Sequence, residues 1–241
     1  MTAVPKLVLC DFPAKTNVDG WNSFSPYVLE VARALGLAKL PYEHRHIDFF
    51  KLKELNPLGQ LPVLLVGDEK VPDSTSILGR IEQLAPGSMT GGLDARALAE
   101  AWLWEEFADT GLYPYVLATR WADDRGWPVP RAAFFATIPA PVRSIVAGLV
   151  RRGTVKKLVE RDFTRAGLDA CYARFHRVLD HLDARAPETG YWMGERPSVA
   201  DLGLFGHLHS LRLPLIPFQA EEVKKRRRLS AYLDRVDAVT R

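Results

Sequence analysis

The chain has 241 residues, 47% of them hydrophobic, which is enough for one large or two ordinary domains with a packed core. Its 32 basic and 29 acidic side chains leave a net charge of +3, too small an imbalance to indicate a nucleic-acid-binding protein. The two cysteines, Cys10 and Cys171, lie far apart without metal-ligand spacing, as is typical of a reducing compartment. No secretory signal is recognisable, so we expect a cytoplasmic protein.

The first predicted elements are a strand, a long loop and a helix. Residues 6–11 form an apolar run of strand length, and residues 12–24 are polar and broken by proline and glycine. A helix is predicted from Pro26, where apolar residues begin to recur at helical spacing. Ser25 and Pro26 make a common helix start, with serine as N-cap. A hydroxyl at this helix start is also placed to donate to a thiolate and lower its pKa.

A second strand, a short helical turn, a hairpin and a helix are predicted next, over residues 43–49, 51–55, 61–72 and 74–84. Pro62 opens a run of β-type residues but cannot donate to a sheet ladder, so it begins a strand at its edge or follows a turn. This position suits a cis peptide bond. We expect the backbone groups of Leu61 to be left available for β-type hydrogen bonds to an extended, peptide-like ligand.

The predicted helix at 74–84 starts with Asp73 and Ser74, which read as a capped N-terminus. A helix start offers unpaired N–H groups and the positive end of the helix dipole, and both favour a carboxylate. The sequence therefore places a possible anion-binding helix start shortly after the Pro62 turn.

Residues 56–64 read Asn-Pro-Leu-Gly-Gln-Leu-Pro-Val-Leu, and Asp73 and Ser74 follow at the helix start. This pattern resembles the glutathione-binding core of the glutathione S-transferase superfamily. The resemblance implies an N-terminal thioredoxin-like domain (residues 1–85), a linker (86–94) and an all-helical C-terminal domain (95–241), a two-domain combination of α+β and all-α parts. It also implies roles in glutathione binding for Leu61 and Pro62 at the cysteinyl part and for Asp73 and Ser74 at the γ-glutamyl end. Lys51, or alternatively Lys53, is the candidate partner of the glycine carboxylate.

Ser25 stands where Ser- and Cys-type transferases carry the activating residue, and it resembles the Cys-Pro pair of omega-type enzymes with serine in place of cysteine. Ser23 is the alternative, because a similar serine pair occurs in bacterial etherase-like and metaxin-like relatives, and Asn22 is a third candidate. A thiol-disulfide oxidoreductase would need cysteine at this helix start, and Cys10 lies too early in the chain.

After residue 95 only helices are predicted, at 95–107 and on toward 120, at 168–184, at 199–211 and, more briefly, at 229–239. The helix at 199–211 is apolar almost all round, which is typical of a core helix. It opens with a capping box formed by Ser198 and Asp201, a motif that recurs in the helical domain of glutathione transferases. We expect Asp201 to be structural.

The segment 121–163 is longer than a plain helix connection, and we expect it to add helices beside the site. Candidate residues for an electrophile pocket are Tyr113, Tyr115 and Trp121, which lie near the end of the first long helix. The apolar run at 132–150 is interrupted by two prolines and an arginine, so stable membrane insertion is not expected.

Neither the histidines nor the basic run is expected to form a ligand site. The six histidines match no metal-binding spacing, so no metal site is expected. The basic run at 224–228 is interpreted as a solvated face and not as a nucleic-acid contact.

The resemblance implies a glutathione transferase that uses glutathione as co-substrate, transfers it to a small hydrophobic electrophile and, as is usual in the family, forms a homodimer. The alternative is a non-catalytic binding or adapter protein with the same fold, as metaxin-like relatives illustrate.

Overall fold

The computed structural model describes residues 5–12, 23–48, 51–136 and 138–241. The N-terminal part contains a four-stranded sheet in the order β2-β1-β3-β4, in which β1 pairs in parallel with β2 and antiparallel with β3, and β4 is antiparallel to β3. The strands are β1 (Leu7–Asp11), β2 (Tyr42–His46), β3 (Val63–Val66) and β4 (Glu69–Pro72), and the helices are α1 (Pro26–Leu37), α2 (Leu52–Leu55) and α3 (Ser74–Leu84).

Every described element after residue 85 is helical. The helices are α4 (Ala95–Phe107), α5 (Tyr113–Leu117), α6 (Pro128–Phe134), α7 (Ala140–Glu160), α8 (Leu168–Arg185), α9 (Val199–Arg212), α10 (Pro217–Lys224) and α11 (Arg227–Thr240), with π-helical segments at Ala108–Leu112 and Ala118–Ala122. The predicted fold class, a thioredoxin-like part followed by a helical part, is confirmed. Within the described residues, no helix has the length and apolar character needed to cross a membrane.

Helix α9 is buried along nearly its whole length and packs against both α1 and α4. A β-carbon at Gly206 would lie 2.7 Å from the carbonyl oxygen of Pro26, and one at Gly203 would lie 3.1 Å from Cα of Glu105. The two glycines therefore let α9 approach both neighbours closely. A buried ion pair, Arg33 to Asp237 at 2.8 Å, also joins α1 to α11.

Several sequence predictions correspond closely to the observed elements. Helix α3 has the predicted bounds, and α9 begins with the predicted capping box of Ser198 and Asp201. The 121–163 segment does add helices, α6 and α7. Two features differ from expectation: the long helix from 95 toward 120 is interrupted by the two π-helical segments, and α10 had no predicted counterpart.

The basic run at 224–228 lies at the junction of α10 and α11, and four of its five side chains, those of Lys224, Lys225, Arg226 and Arg228, are paired within the chain. Arg226 contacts Asp180 and Glu222 at 2.8 Å each, and the Arg228 guanidinium donates to the carbonyl of Ala186 at 3.0 Å. These contacts explain the run as a connection between α8, α10 and α11.

Candidate active site

The loop before α1 places Ser23 and Ser25 in different hydrogen-bonding roles. The Ser23 hydroxyl is fully buried; it donates to Oδ1 of Asp11 at 2.9 Å and accepts from the Ser25 N–H at 2.9 Å. Ser25 is the N-cap of α1, and its Oγ accepts from the Val28 N–H at 3.4 Å. The hydrogen of the Ser23 hydroxyl is therefore committed to Asp11, whereas the described residues offer no acceptor for the hydrogen of Ser25.

Arg120, in the second π-helical segment, reaches across from the helical part to this loop. One guanidinium nitrogen donates to the carbonyl of Phe24 at 2.5 Å, and another donates to the carbonyl and hydroxyl of Ser210, both at 3.1 Å. Burial lowers the pKa of Arg120 to about 10, so the guanidinium remains charged at neutral pH. The backbone directly before Ser25 is thus held by a charge-assisted hydrogen bond.

The turn before β3 leaves Leu61 beside the sheet and outside its ladder. Pairing of β3 with β1 and β4 begins at Val63, and the Leu61–Pro62 peptide bond is cis. Asn56 is buried and shapes the preceding loop, since its amide donates to the Gln60 carbonyl at 3.1 Å and its side-chain oxygen accepts from the Leu58 N–H at 3.0 Å. The structure thus accounts for asparagine at the start of the sequence pattern.

Asp73 and Ser74 lie at the start of α3, directly after β4. Asp73 has a positive φ of 73° and caps the helix through Oδ1, which accepts from the Ser76 N–H at 3.0 Å. Its side chain is exposed, whereas Ser74 is buried and donates to Oδ2 of Asp109 at 3.4 Å. The helix start is therefore in contact with the helical part of the chain.

The three candidate pocket residues occupy different environments. Trp121 belongs to an aromatic cluster that joins the helical part to the serine loop: its ring centroid is 5.9 Å from that of Phe134, which lies 5.6 Å from Phe24 and 5.8 Å from Phe12. Tyr113 is half-buried and packs against Tyr27, with ring centroids 4.7 Å apart.

Tyr115 is only 1% exposed, and its ring packs against Phe175 and Phe163 in the helical core. A pocket role for Tyr115 is therefore wrong, because core packing uses its whole ring. Tyr113 and Tyr115 are two residues apart and face different surroundings, which their proximity in sequence did not reveal.

Two remaining candidates contribute less to the described site. Lys51 is exposed at the N-terminus of α2, and no described residue forms an ion pair with it. Asn22 lies outside the described residues, as does most of the 12–24 loop.

Family models match both halves of the chain. The model for the glutathione S-transferase N-terminal domain matches residues 23–89, and the model for the C-terminal domain matches residues 165–235. Together these matches span more than half of the sequence. The chain belongs to the glutathione S-transferase superfamily.

Individual relatives of this glutathione S-transferase family member are distant. Protein LigF of Sphingobium sp. (strain NBRC 103272 / SYK-6) is 25% identical over 91% of this chain and 86% of its own length. The Metaxin-2 homolog of Caenorhabditis elegans is 22% identical over 76% of this chain and 79% of its own length.

Solved structures confirm the fold of this glutathione S-transferase family member. The crystal structure of beta-etherase LigF from Sphingobium sp. strain SYK-6 superposes with a TM-score of 0.64 at 21% identity, covering 97% of this chain and 95% of LigF. The apo structure of glutathione S-transferase III gives a TM-score of 0.61 at 23% identity, covering 97% and 92%.

Within this transferase fold, sequence reasoning missed a group of buried acidic residues behind Ser74. Burial raises the pKa of Glu105 to about 7 and that of Asp109 to about 8, and it raises the pKa of Glu30 well above the usual range. Glu30, Glu105 and Asp109 come from α1, α4 and the first π-helical segment. The only hint in the sequence is that Glu105 and Asp109 are four residues apart and so lie on one face of a helix, which is a weak indication of a buried acidic group.

Sequence reasoning also missed the aromatic residues that this glutathione S-transferase fold brings to the serine loop. Phe12 and Phe24 flank the loop in sequence, and Phe134 lies more than 100 positions away in α6. The distance along the chain explains why only Trp121 of this cluster was predicted.

Proposed function

We propose that this protein is a glutathione transferase in which Ser25 stabilises the glutathione thiolate and the thiolate attacks a hydrophobic electrophile. The observation that carries the proposal is the division of roles between the two serines: Asp11 takes the Ser23 hydrogen, whereas the Ser25 hydroxyl keeps a hydrogen to donate at the start of α1. In this proposal residues 1–85 bind glutathione, residues 95–241 bind most of the electrophile, and residues 86–94 link the two domains.

Glutathione is proposed to lie along the edge formed by the Leu61–Pro62 turn and the start of α3. The backbone of Leu61, outside the ladder, pairs with the cysteinyl residue. The γ-glutamyl end binds at Asp73 and Ser74. The exposed Asp73 carboxylate accepts from the ammonium group of the ligand, and the N–H groups at the start of α3 donate to the α-carboxylate of the ligand. Lys51 is the proposed partner of the glycine carboxylate.

The proposed chemistry is a substitution by sulfur. The thiolate attacks an electrophilic carbon, a sulfur–carbon bond forms, and the leaving group departs with the bonding electron pair. Lowering the thiol pKa by one to two units from about 8.5 raises the thiolate population at pH 7 by about ten- to thirtyfold. A hydrogen bond from Ser25 and the dipole of α1 both act in this direction.

The electrophile is proposed to be an aromatic compound that packs against the aromatic cluster of Phe12, Phe24, Trp121 and Phe134. The ring centroids of Phe12, Phe24 and Trp121 each lie 5.6–5.9 Å from that of Phe134, next to the loop that carries Ser25. Since the distant relative LigF is a beta-etherase, aryl ethers are the first substrates to assay.

Binding of glutathione tests the proposal directly. We expect retention on glutathione resin and a rise in Tm at millimolar glutathione. Asp73→Asn should weaken glutathione binding about tenfold, because it removes one charge from the ammonium contact while asparagine keeps the helix cap and tolerates positive φ. Isothermal titration calorimetry measures the change.

Asp94→Asn is the matched control, since Asp94 is an exposed N-cap at the start of α4 that accepts from the Ala97 N–H at 2.8 Å. It should leave the affinity unchanged. Absence of both retention and thermal shift in the unmodified protein would rule out the transferase and favour the second candidate, a non-catalytic adapter, to which the similarity to a Metaxin-2 homolog points.

A homodimer is proposed because α7 exposes an apolar stripe of Val142, Ile145 and Leu149, whose side chains are 49%, 64% and 63% exposed. These positions repeat at helical spacing and lie on one face. The expected result is a mass in solution of twice 27.0 kDa by light scattering, reduced to one chain in Ile145→Lys. A monomeric unmodified protein would contradict the proposal.

A cytoplasmic location remains our proposal, supported by two free, buried cysteines. Cell fractionation would check it, and recovery with secreted proteins would contradict it.

A further inference from the structure

Three carboxylates converge where α1, α4 and α9 meet. One oxygen each of Glu30, Glu105 and Asp109 lies within 4.8 Å of the other two. Glu30 is fully buried, and neither of its carboxylate oxygens has a hydrogen-bond donor among the described residues; the same holds for Oδ1 of Asp109. A buried charge without a partner is costly, so either protons or a cation must lie between these groups.

His207 on α9 supplies a second, independent observation, because one of its ring nitrogens is buried beside these carboxylates without a hydrogen-bond partner among the described residues. Its Nδ1 lies 3.0 Å from the Gly203 carbonyl oxygen, so Nδ1 carries the hydrogen and Nε2 presents a lone pair. Nε2 is buried and without a donor in the described part of the chain, and it lies 3.8 Å from Oδ1 of Asp109. At 3.8 Å the two atoms are too far apart for a hydrogen bond.

The surroundings provide hydroxyl donors but no counter-charge. Thr75 donates to Glu105 at 2.7 Å, and Ser74 donates to Asp109 at 3.4 Å. Asp73 at the start of α3 and Glu106 beside Glu105 on α4 are also negative. In the described residues, no lysine or arginine forms an ion pair with any of the three carboxylates.

The geometry points to a binding site for a divalent first-row transition-metal ion, with Glu30, Glu105 and Asp109 as oxygen ligands and Nε2 of His207, 3.8 Å from Oδ1 of Asp109, as the nitrogen donor beside them. Oxygens that lie within 4.8 Å of one another can be bridged by one ion with bonds of about 2.1 Å. The hydrogen bond from Nδ1 to a backbone carbonyl is the usual outer partner of a metal-bound histidine.

Mixed carboxylate and imidazole ligands favour Zn²⁺, Mn²⁺ or Fe²⁺ over Ca²⁺, which takes six to eight oxygens. Gly203 gives the ligands room, since a β-carbon there would lie 3.3 Å from Oε1 of Glu30. The site joins helices of both halves of the chain, so bound metal would stabilise their contact independently of any transferase activity.

Thermal unfolding of chelator-stripped protein with added ZnCl₂ or MnCl₂ tests the inference. We expect one tightly bound ion per chain by elemental analysis and a rise in Tm of at least about 3 °C at a hundredfold excess over Kd. Glu30→Gln should abolish the rise, whereas Glu106→Gln, a change at an exposed residue next to Glu105 on α4, should retain it.

Asp11, His44 and His46 also gather within 4.8 Å and could bind Zn²⁺ at the surface. The thermal series is therefore repeated in His46→Ala, where the expected rise persists. Anomalous diffraction from metal-soaked wild-type crystals locates the ion even if Glu30→Gln fails to fold. The inference is overturned by an ion elsewhere, by a rise that survives in Glu30→Gln, or by no metal response, which would mean that the carboxylates share protons instead.

Discussion

Replacing Ser25 by alanine should lower kcat/KM for conjugation of glutathione to an aromatic electrophile by about 10- to 100-fold. The hydroxyl is the proposed donor to the thiolate, and without it the thiol pKa in the complex should rise by one to two units. The pH profile of kcat/KM should therefore move to higher pH, and the deficit should shrink at alkaline pH, where the thiol ionises without help. Steady-state rates between pH 6 and pH 9 measure both effects.

Ser23→Ala is the comparison variant, because Ser23 is buried and its hydroxyl is bonded to Asp11 and to the Ser25 N–H. It should lower stability through the loss of the hydrogen bonds to Asp11 and from the Ser25 N–H, while leaving the pH profile in place. Loss of the Ser25 cap also costs about 1 kcal/mol of stability, so rates are compared well below Tm. Undiminished rates in both variants would refute the serine mechanism.

Replacing Asp201 by alanine should lower the free energy of unfolding by about 3 to 5 kcal/mol. One carboxylate oxygen accepts from the Trp192 N–H at 2.8 Å and the Tyr232 hydroxyl at 2.7 Å, and the other accepts from the N–H and hydroxyl of Ser198, both at 2.8 Å. The change leaves these four buried donors without an acceptor. In urea unfolding we expect a lower midpoint concentration and an unchanged dependence of the free energy of unfolding on urea concentration.

Asp169→Ala serves as the control, since Asp169 is an exposed acidic residue in the first turn of α8 and should change stability by less than about 1 kcal/mol. The free energy of unfolding of Asp201→Asn should lie between those of Asp201→Ala and the control, because the amide still accepts hydrogen bonds through one oxygen. An Asp201→Ala protein as stable as the control would show that water or repacking satisfies these donors.

The sequence predicted those helices and strands whose ends are determined by contacts between residues close together in the chain. Asp73 and Ser198 mark helix starts because each caps its helix through hydrogen bonds to residues at most four positions away. Pro62 marks the start of β3 because proline has no backbone N–H to donate to a sheet. The π-helical segments flank Pro114, but a proline alone does not specify where the extra residue of each widened turn is placed. Helix α10 has only eight residues, too few for a periodic pattern to stand out.

The candidate site was harder to predict because its parts come from distant positions. Sequence reasoning left Ser23 and Ser25 open, and the hydrogen bond to Asp11, twelve residues away, is what distinguishes them. Tyr115 was misassigned because aromatic composition does not tell which side of a helix faces the core. The carboxylates at Glu30 and Glu105 are 75 positions apart and meet only through the packing of α9.

The hydrogen bond from Arg120 to the Phe24 carbonyl has a consequence for chimeric proteins of this fold. The loop carrying Ser25 belongs to the N-terminal part, but one of its anchors belongs to the helical part. Exchanging helical domains between relatives would therefore also exchange the residue that binds the Phe24 carbonyl. A recombinant protein without an arginine at position 120 would lack this hydrogen bond to the backbone next to Ser25. Compatible crossover partners are those that keep both the arginine and the serine at position 210 that holds it.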